Sequence, residues 1–166
     1  SLYYLALIHY ATGSMAQANN YASKFLTANP GNISGQKLLA RIKLSERDYA
    51  EAEQLLQPLV AYNENDVEAV NLLAESLLHQ GKALEATELM SKVVSLRPDS
   101  AIAQLQLGAG LLAQGEDSAG LEHLQEALRM DPQREEAQVL LVIQHLRRND
   151  LDKALESATA YAERHP

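Results

Sequence analysis

Five histidines are the residues of this 166-residue chain best suited to bind a metal ion or to transfer protons. A metal site on one helix needs two of them three or four positions apart, so that both imidazoles share a face. No two histidines have this spacing, and each is expected to pack between helices or to face solvent. The sequence therefore predicts no metal and no cofactor at His9, His79, His123, His145 or His165.

Other sequence motifs that would indicate nucleotide binding or catalysis are incomplete or absent. Gly108-Ala109-Gly110 is not followed by the Gly-Lys-Ser/Thr of a phosphate-binding loop. The chain has no cysteine, which excludes thiol nucleophiles and disulfides, and it has no Gly-x-Ser-x-Gly motif. Carboxylate pairs such as Glu51 with Glu53 are expected on solvated helix faces, not in an acid–base site. The sequence thus predicts a protein that is not an enzyme.

Charge and hydropathy limit the classes of partner. Asp and Glu number 22 against 14 Lys and Arg, for a net charge of −8, which argues against a nucleic-acid partner. No apolar run approaches the roughly 18–20 residues that a membrane helix needs, so no direct membrane span is predicted in this segment. The chain begins at Ser1 within a helical pattern, and we expect it to be a fragment of a longer protein.

A sequence repeat of 34 residues indicates the helices that would position any functional site. Pro30, Pro98 and Pro132 each follow an apolar helical run, at spacings that are multiples of 34 residues, and Pro166 continues this register. A turn column at the same period contains Gly13, Arg47, Gly81, Gly115 and Asn149. An invariant leucine column contains Leu5, Leu39, Leu73, Leu107 and Leu141. Two further columns consist mainly of small residues, one of Ala6, Ala40, Ala74, Gly108 and Val142 and the other of Ala18, Ala52, Ala86, Gly120 and Ala154.

Each column has a physical meaning. Leucine at one phase of every first helix predicts a buried ridge, and small residues allow two helices to cross closely. Glycine or asparagine after the first helix suits a left-handed cap, and proline stops the second helix. We predict helices over residues 1–12, 15–29, 33–46, 49–62, 67–80, 83–96, 101–114, 117–130, 135–148 and 151–164. They pair into repeats over about 1–32, 33–66, 67–100, 101–134 and 135–166, which form a single array across 1–166.

With this period and these columns, the chain resembles the tetratricopeptide repeat (TPR) family over essentially its whole length. The best match runs from Leu107-Gly108 to Pro132, and Gln36, Val70, Gln104 and Gln138 replace an aromatic residue that is usual in the family. The resemblance implies an all-α, TPR-type α-solenoid of five helix-turn-helix units in a right-handed superhelical arc. It also implies a non-catalytic scaffold or adaptor that binds a peptide or protein in a concave groove lined by the first helices.

The groove residues projected from this resemblance grade from aromatic through basic to aliphatic. They are Tyr3, Leu7, Tyr10, Lys37, Arg41, Asn71, Glu75, Leu105, Val139 and Ile143. We expect an extended or helical peptide with an acidic portion near Lys37 and Arg41, although these two are equally explained as ordinary solvated charges. The carboxylate clamp of co-chaperone TPR domains is mostly absent, because only Lys37 matches it.

The style of the loop sequences, such as Leu78-His79-Gln80-Gly81-Lys82, is more narrowly similar to bacterial envelope TPR lipoproteins of the exopolysaccharide and PEP-CTERM type. That similarity favours the periplasm or the outer membrane over the cytoplasm. The alternative is a substrate-docking or regulatory TPR segment of a larger enzyme such as a glycosyltransferase. We also expect self-association through truncated ends, at Tyr3 and Tyr4 and at the last helix around Leu155, Ala158 and Ala162.

Overall fold

A computed structural model describes residues 1–164, all of whose regular structure is helical; the predicted end of the last repeat, at His165-Pro166, lies outside the described residues. The ten helices of this part are α1 Leu2–Ala11, α2 Met15–Ala28, α3 Ile33–Ser45, α4 Tyr49–Tyr62, α5 Val67–His79, α6 Ala83–Leu96, α7 Ala101–Ala113, α8 Asp117–Met130, α9 Glu135–Arg147 and α10 Leu151–Arg164. Each helix begins and ends within one residue of its predicted bounds. The predicted all-α fold of five helix-turn-helix units is confirmed.

The helices form two compact units. The first is Ser1–Gln80 and contains α1 to α5, and the second contains α6 to α10 from Gly81 onward. In the first unit, consecutive helices pack against each other, and α3 also touches α1 and α5. In the second unit, consecutive helices again pack together, and α7 also touches α9. No helix between residues 2 and 164 is long and apolar enough to cross a membrane.

The predicted turn column adopts the left-handed backbone conformation at all five positions. The φ angles are 75°, 77° and 84° at Gly13, Gly81 and Gly115, and 62° and 56° at Arg47 and Asn149. A side chain is strained in this region, which explains why three of the five positions are glycine. The prediction of a cap after each first helix is therefore confirmed, with Arg47 as its most strained member.

The first small-residue column is buried at Ala6, Ala40, Ala74 and Gly108, whereas its larger fifth member, Val142, is only half-buried. The second column is buried at all five positions, Ala18, Ala52, Ala86, Gly120 and Ala154. A close crossing joins α7 to α8, with a glycine on each side. A Cβ added to Gly108 would lie 3.0 Å from the carbonyl oxygen of Gly120, and one added to Gly120 would lie 2.7 Å from the Leu112 side chain. The backbones of α7 and α8 thus approach so closely that neither position has room for a larger residue.

The leucine column is buried at four positions but not at the first. Leu39, Leu73, Leu107 and Leu141 are buried, whereas Leu5 is 40% exposed. The expectation of a continuous buried ridge is wrong at Leu5, because among the helices of residues 1–164 α1 contacts only α2 and α3, and none of them covers its outer side. Burial at this column therefore depends on the preceding repeat.

Local signals set the helix ends. The second helices α2, α6 and α8 end at Ala28, Leu96 and Met130, each two residues before Pro30, Pro98 and Pro132 as predicted. The next helix then begins with a side-chain cap in three of the repeats. The capping oxygens belong to Asn32, Asp66 and Ser100, which accept from the N–H groups of Gly35, Ala69 and Ala103 at 2.8, 3.1 and 3.3 Å.

A polar contact joins the second helix of one repeat to the end of the next first helix, always between residues 27 positions apart. The donor and acceptor pairs are Asn19 to Glu46 at 2.9 Å, Gln80 to Glu53 at 2.7 Å and Gln114 to Thr87 at 2.9 Å. The sequence predicted Glu53 on a solvated helix face, and this prediction is wrong, because Glu53 is buried. Its carboxylate accepts hydrogen bonds from Gln57 and Gln80, which replace those of water.

Candidate functional site

A shallow pocket on the first-helix side of Ser1–Gln80 brings together four of the predicted groove residues. Tyr3 and Leu7 from α1 meet Lys37 and Arg41 from α3, and Glu68 from α5 closes the far side. The pocket has a volume of about 130 Å³. Ser34 and Leu38 complete its lining. Three successive first helices thus contribute to one concavity that is part apolar and part charged.

The helices fix these side chains by their spacing. Tyr3 and Leu7, like Lys37 and Arg41, are one helical turn apart and therefore project from one face. Tyr3 is held by the hydrophobic core beside it and by Phe25, whose ring centroid is 5.5 Å away. Leu7 is exposed and is available to an incoming apolar group.

Lys37 is enclosed by two carboxylates at the start of α5, those of Asp66 and Glu68. Its Nζ lies 2.7 Å from Glu68 Oε2 and 3.0 Å from Asp66 Oδ2, and its side chain is only 16% exposed. Burial alone would lower the pKa of Lys37, but the hydrogen bonds and negative charges of Glu68 and Asp66 outweigh burial and raise it. Lys37 is therefore a charged structural residue that ties α3 to the start of α5.

Asp66 makes two interactions at this junction between α3 and α5, a helix cap and an ion pair. Burial alone would raise its pKa, but the N–H of Ala69 and the ammonium of Lys37 outweigh burial, and the pKa is lowered from 3.8. The same carboxylate caps α5 and neutralises Lys37. The first turn of α5 consequently holds its neighbour α3 in place.

Arg41 is the more accessible of the two cations. Its Nη2 donates to Glu68 Oε1 at 2.6 Å, and its side chain is 44% exposed. A guanidinium has five N–H donors, so this one bond leaves capacity for a further carboxylate. Arg41 borders the pocket beside Leu7 and is its best-placed group for recognising an anion.

The other predicted groove residues lie outside this pocket. Tyr10 is half-buried against the core formed by α1, α2 and α3, and Asn71 and Glu75 are half-buried on α5. In the second unit, Leu105 packs against the core of α8 and α9. Val139 and Ile143 are exposed and line a different pocket of about 200 Å³ between α9 and α10.

The histidines of the described part have packing or hydrogen-bonding neighbours. His9 stacks on Tyr21 with ring centroids 5.3 Å apart, and His79 stacks on Tyr49 at 4.5 Å. Nδ1 of His123 is 2.6 Å from Oε1 of Gln104, and His145 is buried. Within residues 1–164, no three side chains of His, Asp or Glu are grouped to hold a metal ion. His165 lies outside the described residues.

The family model for the tetratricopeptide repeat matches residues 37–101 and 105–166, which are together well over half of the chain. The chain belongs to the tetratricopeptide repeat family. A comparison with curated proteins found no match.

Solved TPR structures share the fold. TTC0263, a thermophilic TPR protein in Thermus thermophilus, has a TM-score of 0.86 at 22% identity, covering 99% of this chain and 90% of that one. MamA from Desulfovibrio magneticus RS-1 has a TM-score of 0.80 at 20% identity, covering 98% and 92%. YrrB, described as a TPR protein with an unusual peptide-binding site, has a TM-score of 0.70 at 16% identity, covering 99% and 85%. At these identities the likeness concerns the fold alone.

Sequence analysis of the TPR units identified Lys37 and Arg41 but missed the carboxylates that pair with them. Asp66 lies 29 positions after Lys37, at the N-cap of α5, and Glu68 lies 27 positions after Arg41, in the next repeat. The spacing of 27 recurs in the polar contacts between repeats, so it provides a signal that opposite charges at this distance will meet. Searching the repeat for complementary residues at that distance would have found Glu68.

Proposed function

We propose that this TPR chain is a non-catalytic interaction module that binds a peptide along the first-helix face of its first unit. The observation that carries the proposal is the pocket where Leu7, Tyr3 and Arg41 converge, with exposed apolar surface beside a partly exposed guanidinium. Membership of the TPR family and the peptide-binding site named for YrrB support it by analogy.

The ion pairs refine which peptide this face would accept. Lys37 and Arg41 carry two positive charges, and Asp66 and Glu68 balance them with two negative charges. A uniformly acidic peptide would therefore meet no net attraction at this site. One carboxylate bound by Arg41, next to an apolar side chain placed against Leu7, fits both features of the pocket. We propose a peptide with an acidic residue and an apolar residue close together.

A display library of random short peptides, selected on the chain, supplies the probe. The selected peptides should share a carboxylate near an apolar side chain, and calorimetric titration should place their affinity on this pocket. Arg41→Gln should weaken binding about tenfold, the loss of roughly one charged hydrogen bond, and should reduce its salt dependence. Leu7→Ser should weaken binding without changing the salt dependence.

Arg129→Gln is the matched control. Arg129 also donates from Nη2 to a glutamate oxygen at 2.6 Å, but it lies on α8, a second helix. Its replacement should leave the affinity unchanged, as should Glu88→Lys on α6. If Arg129→Gln abolished binding while Arg41→Gln and Leu7→Ser did not, the assignment to the first-helix face would be wrong.

The finer assignment concerns the system in which the module works. The loop sequences support a role in a bacterial envelope or exopolysaccharide export assembly, and the family supports the alternative of a docking segment within a larger enzyme. The complete open reading frame discriminates between these hypotheses. A lipobox signal peptide followed by more TPR units would favour the envelope scaffold, and an encoded catalytic domain would favour the docking segment.

A further inference from the structure

Residues of α8, α9 and α10 line a cleft in the second unit. The cleft has a volume of about 480 Å³, which lies in the range of small-molecule pockets. Its charged and polar side chains include Arg129 from α8, His145 from α9, and Lys153 and Glu156 from α10. Leu128 of α8 adds an apolar surface. The cleft therefore combines cations, one imidazole and an apolar wall.

His145 is the residue of this cleft that indicates a ligand. Its side chain is buried, with an exposure of only 7%, and it lines the cleft. No group of residues 1–164 forms a hydrogen bond with its imidazole. An imidazole carries at least one N–H donor in either tautomer, and a buried donor without an acceptor costs free energy. A ligand in the cleft would supply the missing acceptor.

The second repeat shows how the same repeat position is satisfied within the chain. Three repeats before this histidine stands Lys43 of α3, whose Nζ lies 2.9 Å from Glu51 and 3.5 Å from Glu46. Both carboxylates are replaced by cations in the fifth repeat, where the corresponding residues are Lys153 and Arg148. The fifth repeat has therefore exchanged two internal anions for positive charge, and this exchange favours an anion from outside the chain.

The space in the cleft comes from small side chains on α10. In the second repeat, Leu55 of α4 packs against the core of the first unit. The residue of α10 that corresponds to Leu55 is Ser157, and Ala160 corresponds to Pro58. These positions stay open when another repeat follows, because Gln54 and Pro58 are exposed although α5 packs on α4. The cleft therefore arises from the residues of the fifth repeat and not from its place in the array.

We propose that this cleft binds a small organic carboxylate whose apolar part lies against Leu128. The carboxylate would accept hydrogen bonds from the imidazole of His145 and the ammonium of Lys153, with Arg129 on the α8 side. Two cations and the carboxylate of Glu156 leave one positive charge in the lining, which suits a singly charged carboxylate better than a doubly charged phosphate. The site is separate from the peptide face of the first unit and does not rest on it.

Both cations are accessible to such a ligand although each has a partner. Arg129 lies 2.6 Å from Glu126 and Lys153 lies 3.1 Å from Asp150, but their side chains are 71% and 64% exposed. Exposed ion pairs are weak, and both cations keep further N–H donors. A ligand carboxylate can therefore bind to them without displacing a strong interaction.

Titrations with phenylbutyrate and with its neutral amide, followed by NMR, test the proposal. The chain is isotope-labelled at its backbone amides and its histidine rings, and the ring signal of His145 is assigned by its loss in His145→Leu. Phenylbutyrate should shift this signal to saturation, and the amide should bind at least about tenfold more weakly because it lacks the charge. Acetate should also bind more weakly, since it has no apolar part to contact Leu128.

Three substitutions of charged residues should change the affinity for phenylbutyrate in opposite directions. Lys153→Met and Arg129→Gln should each weaken it about threefold, which is the effect of one exposed charge. Glu156→Gln should instead tighten it by a similar factor, because it removes a charge that repels the ligand. A purely structural role of these residues would not produce opposite signs.

His145→Leu tests the buried donor. The third and fourth repeats have leucine at this position, Leu77 and Leu111, so the fold accepts the substitution. The variant should bind phenylbutyrate about tenfold more weakly, the loss of one hydrogen bond to a charged group. The backbone amide signals measure this affinity, since the ring signal is absent.

Lys24→Met, which removes an exposed cation from α2 in the first unit, is the matched control and should leave the affinity unchanged. Arg41→Gln should also leave it unchanged, because it alters only the peptide face. Three results would overturn the proposal. They are an equal response to phenylbutyrate and its amide, a weakening by Glu156→Gln as large as that by Lys153→Met, and a His145 signal that phenylbutyrate does not shift. The last result would mean that water satisfies the imidazole.

Discussion

Two junctions between successive first helices, one in each unit, use different chemistry at equivalent repeat positions. Lys37 in α3 pairs with Asp66 and Glu68 before and within α5. Two repeats later, Leu105 of α7 occupies the position of Lys37 and packs against the core of α8 and α9. Arg134 occupies the repeat position that corresponds to Asp66. Its side chain does not cap α9 but forms an ion pair with Asp131 at 2.8 Å.

The difference shows which features the repeat requires and which it leaves to vary. Both junctions retain buried small residues at the helix crossings and a buried leucine, at Leu39 and at Leu107. These apolar contacts provide the packing, since burial of apolar surface is the main favourable term in folding. The ion pairs of the first unit are an addition to this framework, and they decide the chemistry of its exposed face.

The largest effect is expected at the close crossing of α7 with α8. Gly108→Phe should lower the free energy of unfolding by about 3 kcal/mol, because the ring cannot enter without separating the helices. A Cβ at this position would already lie 3.0 Å from the Gly120 carbonyl oxygen. Urea melts followed by circular dichroism measure the change. Glu116→Gln, an exposed control, should stay within about 0.5 kcal/mol of the wild type, and equal midpoints for both variants would contradict the packing.

The next effect concerns the ion-paired junction. Lys37→Met keeps the aliphatic part of the side chain but leaves Asp66 and Glu68 without their shared cation. We expect a loss of about 1–2 kcal/mol, between the values of an exposed pair and a well-buried charged hydrogen bond. Lys153→Met is the control, because Lys153 contacts Asp150 at 3.1 Å on an exposed surface. Thermal melts that rank Lys153→Met as the more destabilised variant would show that the junction does not depend on Lys37.

The sequence predicted the fold well because its signals are local. Helix bounds follow from the apolar period, from left-handed positions such as Gly115 and from proline stops such as Pro132. These signals act within a few residues, so they do not depend on how repeats are placed against each other. The small-residue columns were equally predictable, because all five repeats have a small residue in the second column and four of the five, all but the repeat with Val142, have one in the first.

The site was less predictable because its contacts cross between repeats. Lys37 and Arg41 were identified by type, but their partners depend on the distance and rotation from one repeat to the next. The prediction for Glu53 was wrong for the same reason, since its carboxylate accepts a hydrogen bond from Gln80 at the end of the next first helix. Gln104, which replaces an aromatic residue, donates to the carbonyl oxygen of Pro98 at 3.3 Å and so fixes the preceding loop. Composition alone gives no indication of that bond.

A smaller effect is expected at the turn that differs most from the glycine pattern. Arg47 has a φ of 62°, whereas Gly115 occupies the same column with a φ of 84°. Arg47→Gly should stabilise the chain by about 0.5–1 kcal/mol, since relief of left-handed strain exceeds the entropy cost of glycine. Gly115→Ala should destabilise it by about 1 kcal/mol for the converse reason. Urea midpoints that move in the same direction for both variants would show that strain does not control these turns.

The smallest effect is expected when the capping residue of the first unit is made like that of the second. Asp66→Ser retains an N-cap oxygen, as Ser100 does for α7, but removes the carboxylate that pairs with Lys37. Since Glu68 still pairs with Lys37, the expected loss of stability near neutral pH is below about 1 kcal/mol.

The pH dependence of the stability difference is the sharper measurement. The pKa of Asp66 is lowered from 3.8 on folding, so its contribution is present above that value and is lost as the pH falls through the folded pKa. The stability difference between wild type and variant should therefore be constant near neutral pH and should shrink on acidification below 3.8. Asp66→Asn, a second neutral cap, should show the same dependence, because both variants lack the charge. If the difference persisted unchanged in strong acid, Asp66 would act through its capping geometry alone, and the ion-paired junction would have no electrostatic advantage over the apolar one.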